Sequence, residues 1–436
     1  MSWALLGFGL AAAAATVPAV LPVRVWLVLF PAFVLSLVTG ELPGWCLAVT
    51  VAGTGTLAAW GGLAGGAGWV GLAASGVAAA GLVRQMVLAR QASPVVDENL
   101  RALDGRHRPP PRRSATDRLN PFRLGDREVV RVDEVRYAPG AGRRHLLDVY
   151  RARGGTSGAP VLLQIHGGAW ISGGKRTQGR LLMNRLARAG WVCVANNYQL
   201  SPAVKHPEHL VDCKRALAWI REHIAEYGGD PTRVVVTGGS AGGHLAALVA
   251  LTANDPAFQP GFESVDTSVL ACISMYGAYS LTELFAWTGR AQRIAAWMGR
   301  LVAGVDVATA RHVFDRASPL QAVHRGAPPF LIMHGTVDNL VPVEQARRFV
   351  LALRAVAPDT VVYIELPGAP HAFDVVRSVR TTATLDGAER FVSWVLDAVP
   401  DGRAAPAAGT ATSGPTTTAR TGPSSDPRGR AAPSRS

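Results

Sequence analysis

Residues 1–83 hold two formal charges, Arg24 and Glu41, in a chain of 436 residues. The stretches Trp3–Leu21, Val25–Thr39, Trp45–Trp60 and Ala67–Val83 each come close to the ~20 mostly apolar residues that a spanning helix needs. The breaks between them hold Pro22 with Arg24, Glu41 with Pro43, and the run Gly61–Gly66. This pattern predicts a transmembrane region of three or four helices over residues 1–83, with alanine and glycine allowing close helix contact. A secretory signal peptide is excluded: no basic residue precedes the apolar stretch, which is several times too long. Charged residues make up 17% of the whole chain, against about 25% in ordinary soluble proteins.

Arg84, Arg90, Arg101, Arg106 and Arg108 follow the last apolar stretch. Such an excess marks the cytoplasmic side of a span, so we expect a multi-pass protein of the cell membrane whose domain beyond the spans is cytoplasmic. Residues 84–127 read as a basic, proline-rich linker. Pro109-Pro110-Pro111-Arg112-Arg113 is extended in character and suited to anionic headgroups. A linker of that kind predicts few contacts between the spans and the domain beyond it, so that the spans tether without shaping the site. Residues 400–436 contain almost no large apolar side chain and are expected to be disordered.

Residues 128–399 alternate between two patterns. Short unbroken apolar runs lie at Val161–Ile165, Trp191–Ala195, Val234–Thr237, Val269–Met275, Phe330–Met333 and Val361–Leu366; such runs fit strands buried on both faces. Helical patterns lie between them, near Thr177–Ala189, Glu208–Tyr227, Ala241–Thr252, Val343–Ala355 and Leu385–Val399. Two earlier strands, near Val129–Tyr137 and His145–Tyr150, are hairpin-like around Pro139-Gly140. The expected class is therefore α/β, with a mostly parallel sheet covered by helices on both faces.

The net charge of +13 comes with 41 arginines among 44 basic residues. These scatter instead of forming a stripe, and no nucleic-acid-binding motif accompanies them, so nucleic acid is excluded as a partner. Cys46, Cys193, Cys213 and Cys272 are too few for a disulfide scaffold and lack zinc spacing; they read as free thiols. Neither a metal nor an organic cofactor is implied.

Four motifs carry chemistry. Gly238-Gly239-Ser240-Ala241-Gly242-Gly243-His244 follows an apolar strand and opens a helix, the context in which G-x-S-x-G lifts a serine hydroxyl above a sheet. A phosphate loop is excluded by the missing lysine. His166-Gly167-Gly168-Ala169-Trp170 follows another strand. Its glycines can turn backbone N–H groups into a cleft, and Gly167, Gly168 and Ala241 are the candidate donors for an oxyanion; His166 reads as structural. Asp338, in His334-Gly335-Thr336-Val337-Asp338, and His371, in Pro370-His371-Ala372-Phe373, each follow a later strand. Nucleophile, acid and base then appear in the order Ser240, Asp338, His371, with His371 as the base and Asp338 orienting it. Asp374 competes for the acid role but stands too near His371 in the chain.

On these four motifs, residues 128–399 resemble the α/β-hydrolase fold carboxylesterases, close to the hormone-sensitive-lipase-like and prenylcysteine-methylesterase-like groups. The multi-span N-terminus resembles that of a group of bacterial membrane esterases. The chain departs from the lipase-like pattern at Ala169, where a third glycine would stand, and at Tyr198-Gln199-Leu200-Ser201-Pro202, where Tyr-Arg-Leu-Ala-Pro would stand. The resemblance implies an α/β-hydrolase fold with a helical cap, here about residues 278–322. Apolar residues there, with Trp170, Trp287 and Trp297 as candidates, are expected to line an acyl pocket. The implied activity is hydrolysis of small or lipid-like carboxylic esters through Ser240 and an acyl-enzyme. The implied partners are the ester substrate and membrane lipid, with no protein partner. An amidase, formamidase or peptidase-like enzyme would use the same machinery. A non-catalytic receptor or scaffold would be expected to lack a triad member, and a transporter would need polar groups inside the spans.

Overall fold

A computed structural model describes residues 1–25, 28–103, 120–285 and 292–398. Eight strands form one sheet: β1 (Val129–Arg136), β2 (Leu146–Ala152), β3 (Ala159–Ile165), β4 (Val192–Asn196), β5 (Gly229–Gly239), β6 (Ala271–Met275), β7 (Phe330–Gly335) and β8 (Val361–Leu366). Their order is β1-β2-β4-β3-β5-β6-β7-β8. β2 pairs antiparallel with both β1 and β4, and every later pairing is parallel. The register sets Leu163 beside Val194 on one side and Val236 on the other.

The apolar runs are continuous because both faces are covered. Alternate residues of one strand enter different cores: Val161, Leu163 and Ile165 pack on one face, while Leu162 packs on the other with Cys193 and Val235. The first core takes in α7 (Glu208–His223), α8 (Ala241–Leu251) and α12 (Val343–Val356); the second takes in α6 (Arg180–Arg188) and α13 (Val379–Ala398). α8 is apolar all round and buried along its whole length, as a helix beneath other layers must be. Cys193, Cys213 and Cys272 are buried free thiols, and Cys46 is a half-buried one.

Two helices start away from their expected positions. α6 begins at Arg180 because Gly179 stands at φ 70°, where an added Cβ would lie 2.3 Å from the Gln164 side chain. α13 begins at Val379, six residues before its apolar periodicity is legible, because its first turn buries Arg380 instead of an apolar side chain.

The chain opens with α1 (Ser2–Val20), α2 (Leu29–Glu41), α3 (Pro43–Leu57) and α4 (Gly66–Arg90). α1 and α4 approach closely at glycines; a Cβ on Gly9 would fall 2.1 Å from the Gly71 carbonyl oxygen. Ser2–Val20 and the 35-residue stretch Gly66–Leu100 are long and apolar enough to cross a membrane. α2 and the helix from Pro43 to Gly62 qualify only as a pair, and they meet at a 94° bend. Of the three or four spans expected, two helices are long and apolar enough by themselves, and there are three if the bent pair counts as one.

The linker expectation is corrected for its first part, residues 84–100. α4 runs on through Arg84 and Arg90, and α5 (Ala92–Leu100) comes directly after it. Ala92, Val96 and Leu100 of α5 are buried in the second core of the sheet. Residues 104–119, including the proline run, and residues 399–436 lie outside the described residues.

Nor do the N-terminal helices stand apart from the sheet domain. Arg380 of α13 is fully buried; its Nη1 donates to the Gly40 carbonyl at 2.7 Å and to Glu41 Oε1 at 3.2 Å. Its Nη2 donates to Gln85 Oε1 at 2.8 Å, and its Nε donates to the Pro367 carbonyl at 3.1 Å. Ser378 Oγ also donates to Glu41. The expected division between tether and domain fails here, because the two charges buried at this junction belong one to each part.

Candidate active site

The carboxyl ends of β3, β5, β7 and β8 converge at one edge of the sheet, where open α/β sheets bind ligands. Ser240 sits between β5 and α8 at φ 60° and ψ −126°, a conformation costly for any residue with a Cβ. The turn is possible only because its flanking residues are glycines. A Cβ on Gly238 would lie 2.3 Å from the Gly242 carbonyl oxygen, and one on Gly242 would lie 2.2 Å from that of Ile165.

His371, after β8, brings Nε2 to 2.9 Å from Ser240 Oγ and Nδ1 to 2.7 Å from Asp338 Oδ2. With Nδ1 protonated, His371 donates to the carboxylate while Nε2 accepts from the serine hydroxyl. The Asp338 carboxylate is fully enclosed. Oδ1 accepts the N–H groups of Leu340 and Val341, both at 2.8 Å, and His334 Nε2 lies 3.3 Å from Oδ2. Burial opposes the charge on Asp338, but the His371 charge and the hydrogen bonds from His334 and His371 outweigh it, holding the carboxyl well below its usual range. The triad residues named from the motifs are thus brought together. Asp374 is not in reach of that role: it accepts from the hydroxyl of Tyr276, and burial raises its carboxyl above the usual value.

The glycine turn after β3 differs in one respect from its expected use. The Gly167 N–H donates to Gln178 Oε1 at 2.6 Å, so it is committed and is corrected as an oxyanion donor. Gly168, Ala169 and Trp170 follow at φ of 118°, 53° and 61°. Among the described residues the N–H groups of Gly168 and Ala169 meet no acceptor. Ala241 opens α8, and first-turn N–H groups have no intrahelical partner. The turn abuts Ser240: a Cβ on Gly167 would stand 3.1 Å from Ser240 Cβ.

Of the three tryptophans expected in the pocket, two lie among the described residues, and they differ in burial. Trp170 is buried, its Nε1 donating to His244 Nδ1 at 3.3 Å, because a buried indole N–H must find an acceptor. Trp297, on α10 (Gln292–Ala303), is 50% exposed. Trp287 lies outside the described residues. α10 belongs to the insertion between β6 and β7, together with α9 (Leu281–Phe285) and α11 (Arg311–Arg316). Phe285, Val302 and Phe314 of this insertion pack into the first core, so core packing accounts for much of its apolar content.

Several neighbours of the site carry no motif. Tyr276 edges against His371 at 4.8 Å between ring centroids. Phe33 of α2 does the same at 5.9 Å. His166 stacks on Tyr198 at 4.3 Å and donates Nδ1–H to the Gly167 carbonyl, which fits a structural role. Among the described residues no group of three or more His, Cys, Asp or Glu side chains is arranged to hold a metal ion.

Burial pushes His166 and His244 down to about 4, and His206 and His209 down to about 3. All four are depressed from the ordinary histidine value, so the unfolded chain takes up protons that the folded one refuses. Stability is then fully present above about pH 6.5 and falls with acidification by about 1.4 kcal/mol per pH unit for each histidine involved. The melting temperature is expected to drop by at least about 5 °C between neutral pH and about pH 5. A flat profile in thermal unfolding would show that these rings protonate within the fold.

The chain matches the BD-FAE family over residues 147–353. It is 46% identical over 271 residues to esterase LipQ of Mycobacterium tuberculosis, covering 62% of this chain and 63% of LipQ. It is 44% identical over 252 residues to esterase LipC of the same organism, covering 57% of this chain and 62% of LipC. The chain therefore spans less than two thirds of the length of these curated relatives. Among solved structures it resembles a thermophilic esterase of Thermogutta terrifontis with butyrate bound, at TM-score 0.50 and 26% identity, covering 60% of this chain and 92% of that one.

Proposed function

We propose that this chain is a membrane-anchored serine hydrolase of carboxylic esters, its sheet domain one of the α/β-hydrolase carboxylesterases close to the hormone-sensitive-lipase-like group. The observation that carries the reading is the continuous hydrogen-bonded line from Ser240 Oγ through His371 to Asp338, at 2.9 and 2.7 Å. A serine hydroxyl is a weak nucleophile without an adjacent base. Here His371 Nε2 takes the hydroxyl proton as Ser240 Oγ attacks the ester carbonyl. His371 then returns that proton to the leaving alkoxide, giving the alcohol and an acyl-Ser240. Water, deprotonated by His371, attacks the acyl-enzyme and releases the carboxylic acid and free Ser240. Asp338 keeps Nδ1 protonated and stabilises the imidazolium in both halves. The oxyanion formed in each half is assigned to the N–H groups of Ala241 and Gly168, with Ala169 beside them.

Two apolar helices long enough to span a bilayer support the anchoring, and Arg84, Arg90 and Arg101, in the second half of the second helix stretch and just beyond it, support a cytoplasmic domain by the positive-inside rule. The test of the function is labelling of the whole protein with a fluorophosphonate. We expect one label, mapped to Ser240, with loss of esterase activity in proportion. A label on another serine would overturn the reading. Gly168→Pro removes one oxyanion N–H and, because proline cannot adopt φ 118°, also the turn that aims it, so hydrolysis is expected to slow by at least about 10²–10³-fold; full turnover in a folded variant would reject Gly168 as a donor.

A further inference from the structure

The loops that carry Asp338 and His371 are held from the N-terminal region. The Val23 N–H donates to Asn339 Oδ1 at 2.8 Å. Arg24 Nη2 donates to the Asp338 carbonyl oxygen at 3.3 Å. Asn339 Nδ2 lies 3.5 Å from the carbonyls of both Pro18 and Ala32. Gly40 faces Pro370, the residue before His371; a Cβ there would be 3.2 Å from Pro370 Cγ. Phe33 completes the set with its ring at 72° to the imidazole of His371.

Phe33 continues outward to Phe30, whose ring centroid is 6.2 Å away and which is 72% exposed. Val34, Leu35 and Val38 of the same helix are also exposed. An aromatic left this exposed adds little to core packing, and a contiguous apolar face of this kind marks a surface that something apolar covers. α2 lies in a bent helix pair, preceded by one candidate span and followed by the other, so the apolar phase beside it is lipid. A helix packed only as an anchor would have no reason to set an aromatic ring against the general base.

On the ester-hydrolase reading above, we infer that α2 is the substrate-side wall of the active site. Phe30 and Phe33 form an apolar track along which the acyl chain of a long-chain ester dissolved in the bilayer reaches Ser240. Phe33 acts as a specificity residue and Phe30 as the entrance from lipid. The track distinguishes esters by whether their acyl chain extends past His371, so a short ester uses the triad alone and a long one uses the triad and α2.

The test uses the full chain in phosphatidylcholine vesicles, with p-nitrophenyl butyrate in water and p-nitrophenyl palmitate in the bilayer. Phe33→Ala is expected to lower kcat/KM for palmitate by on the order of tenfold more than for butyrate, the scale on which an apolar pocket discriminates. Phe33→Leu should restore most of that difference. Phe30→Ser, at an exposed position where folding is not at issue, should raise KM for palmitate several-fold without a matching fall in kcat. Equal losses on both esters, or none on either, in variants whose Ser240 still takes a fluorophosphonate, would overturn the track alone. Failure of the wild type to take that label at Ser240 would overturn the ester-hydrolase reading and the track with it.

Discussion

Ser240→Ala is expected to reduce ester hydrolysis by about a millionfold, because the members of a triad act as a unit and losing the nucleophile costs as much as losing all three. The site makes the expectation sharp. His371 Nε2 has Ser240 Oγ as its one hydrogen-bond partner among the described residues, so no second hydroxyl stands ready to replace it. Residual turnover would come from binding and the N–H groups of Gly168 and Ala241 acting on attack by water. The fold should survive, since alanine meets the same positive φ as serine. Ser240→Gly separates function from stability. Glycine reaches φ 60° and ψ −126° without the steric cost of a Cβ, so this variant should be equally inactive yet more stable by about 1–3 kcal/mol. Turnover and urea unfolding on the three proteins check both halves. A Ser240→Ala enzyme within a hundredfold of wild type would remove Ser240 from the nucleophile's role.

The parts of the fold that were legible in the sequence are those written in local chemistry. The parallel strands announce themselves as unbroken apolar runs because each is buried on two faces. The Ser240 turn is marked by glycines that strand and helix backbones require. Asp338 and His371 follow their strands in the expected chain order. The illegible parts depend on contacts across long chain separations. Nothing near Gln178 says that its side chain takes the Gly167 N–H, eleven residues earlier. The first turn of α13 has no apolar period because it is built around Arg380, whose partners Glu41 and Gln85 are about three hundred residues away. α5 did carry a signal, with Ala92, Val96 and Leu100 spaced as one helical face. Pro94 and the basic residues beyond it disguised that signal as linker, although proline is tolerated in a first helical turn.

Deleting residues 1–92 is expected to destroy the enzyme on every substrate, water-soluble esters included. The deletion removes Glu41 and Gln85 from a guanidinium that is fully buried, and breaking a buried ion pair from one side costs about 3–5 kcal/mol. That alone is a large fraction of the roughly 5–15 kcal/mol by which domains are stable. It also takes Ala92 from the second core and bares Val96 and Leu100 beside it. The loop of Asp338 loses its bonds to Val23 and Arg24, and Asn339 loses the Val23 N–H. With Gly40 deleted too, Arg380 keeps its Nε bond to the Pro367 carbonyl, so turning the guanidinium out into water opens the first turn of α13. Arg380→Leu with Glu41→Gln, which replaces the charges and keeps the helices, should recover part of the stability that Arg380→Leu loses alone. Expression, melting temperature and butyrate turnover of the deletion and of these variants are the measurements. A soluble, cooperatively folding deletion with near-normal butyrate turnover would show that the N-terminal helices serve as a tether and that the buried Arg380 junction is dispensable.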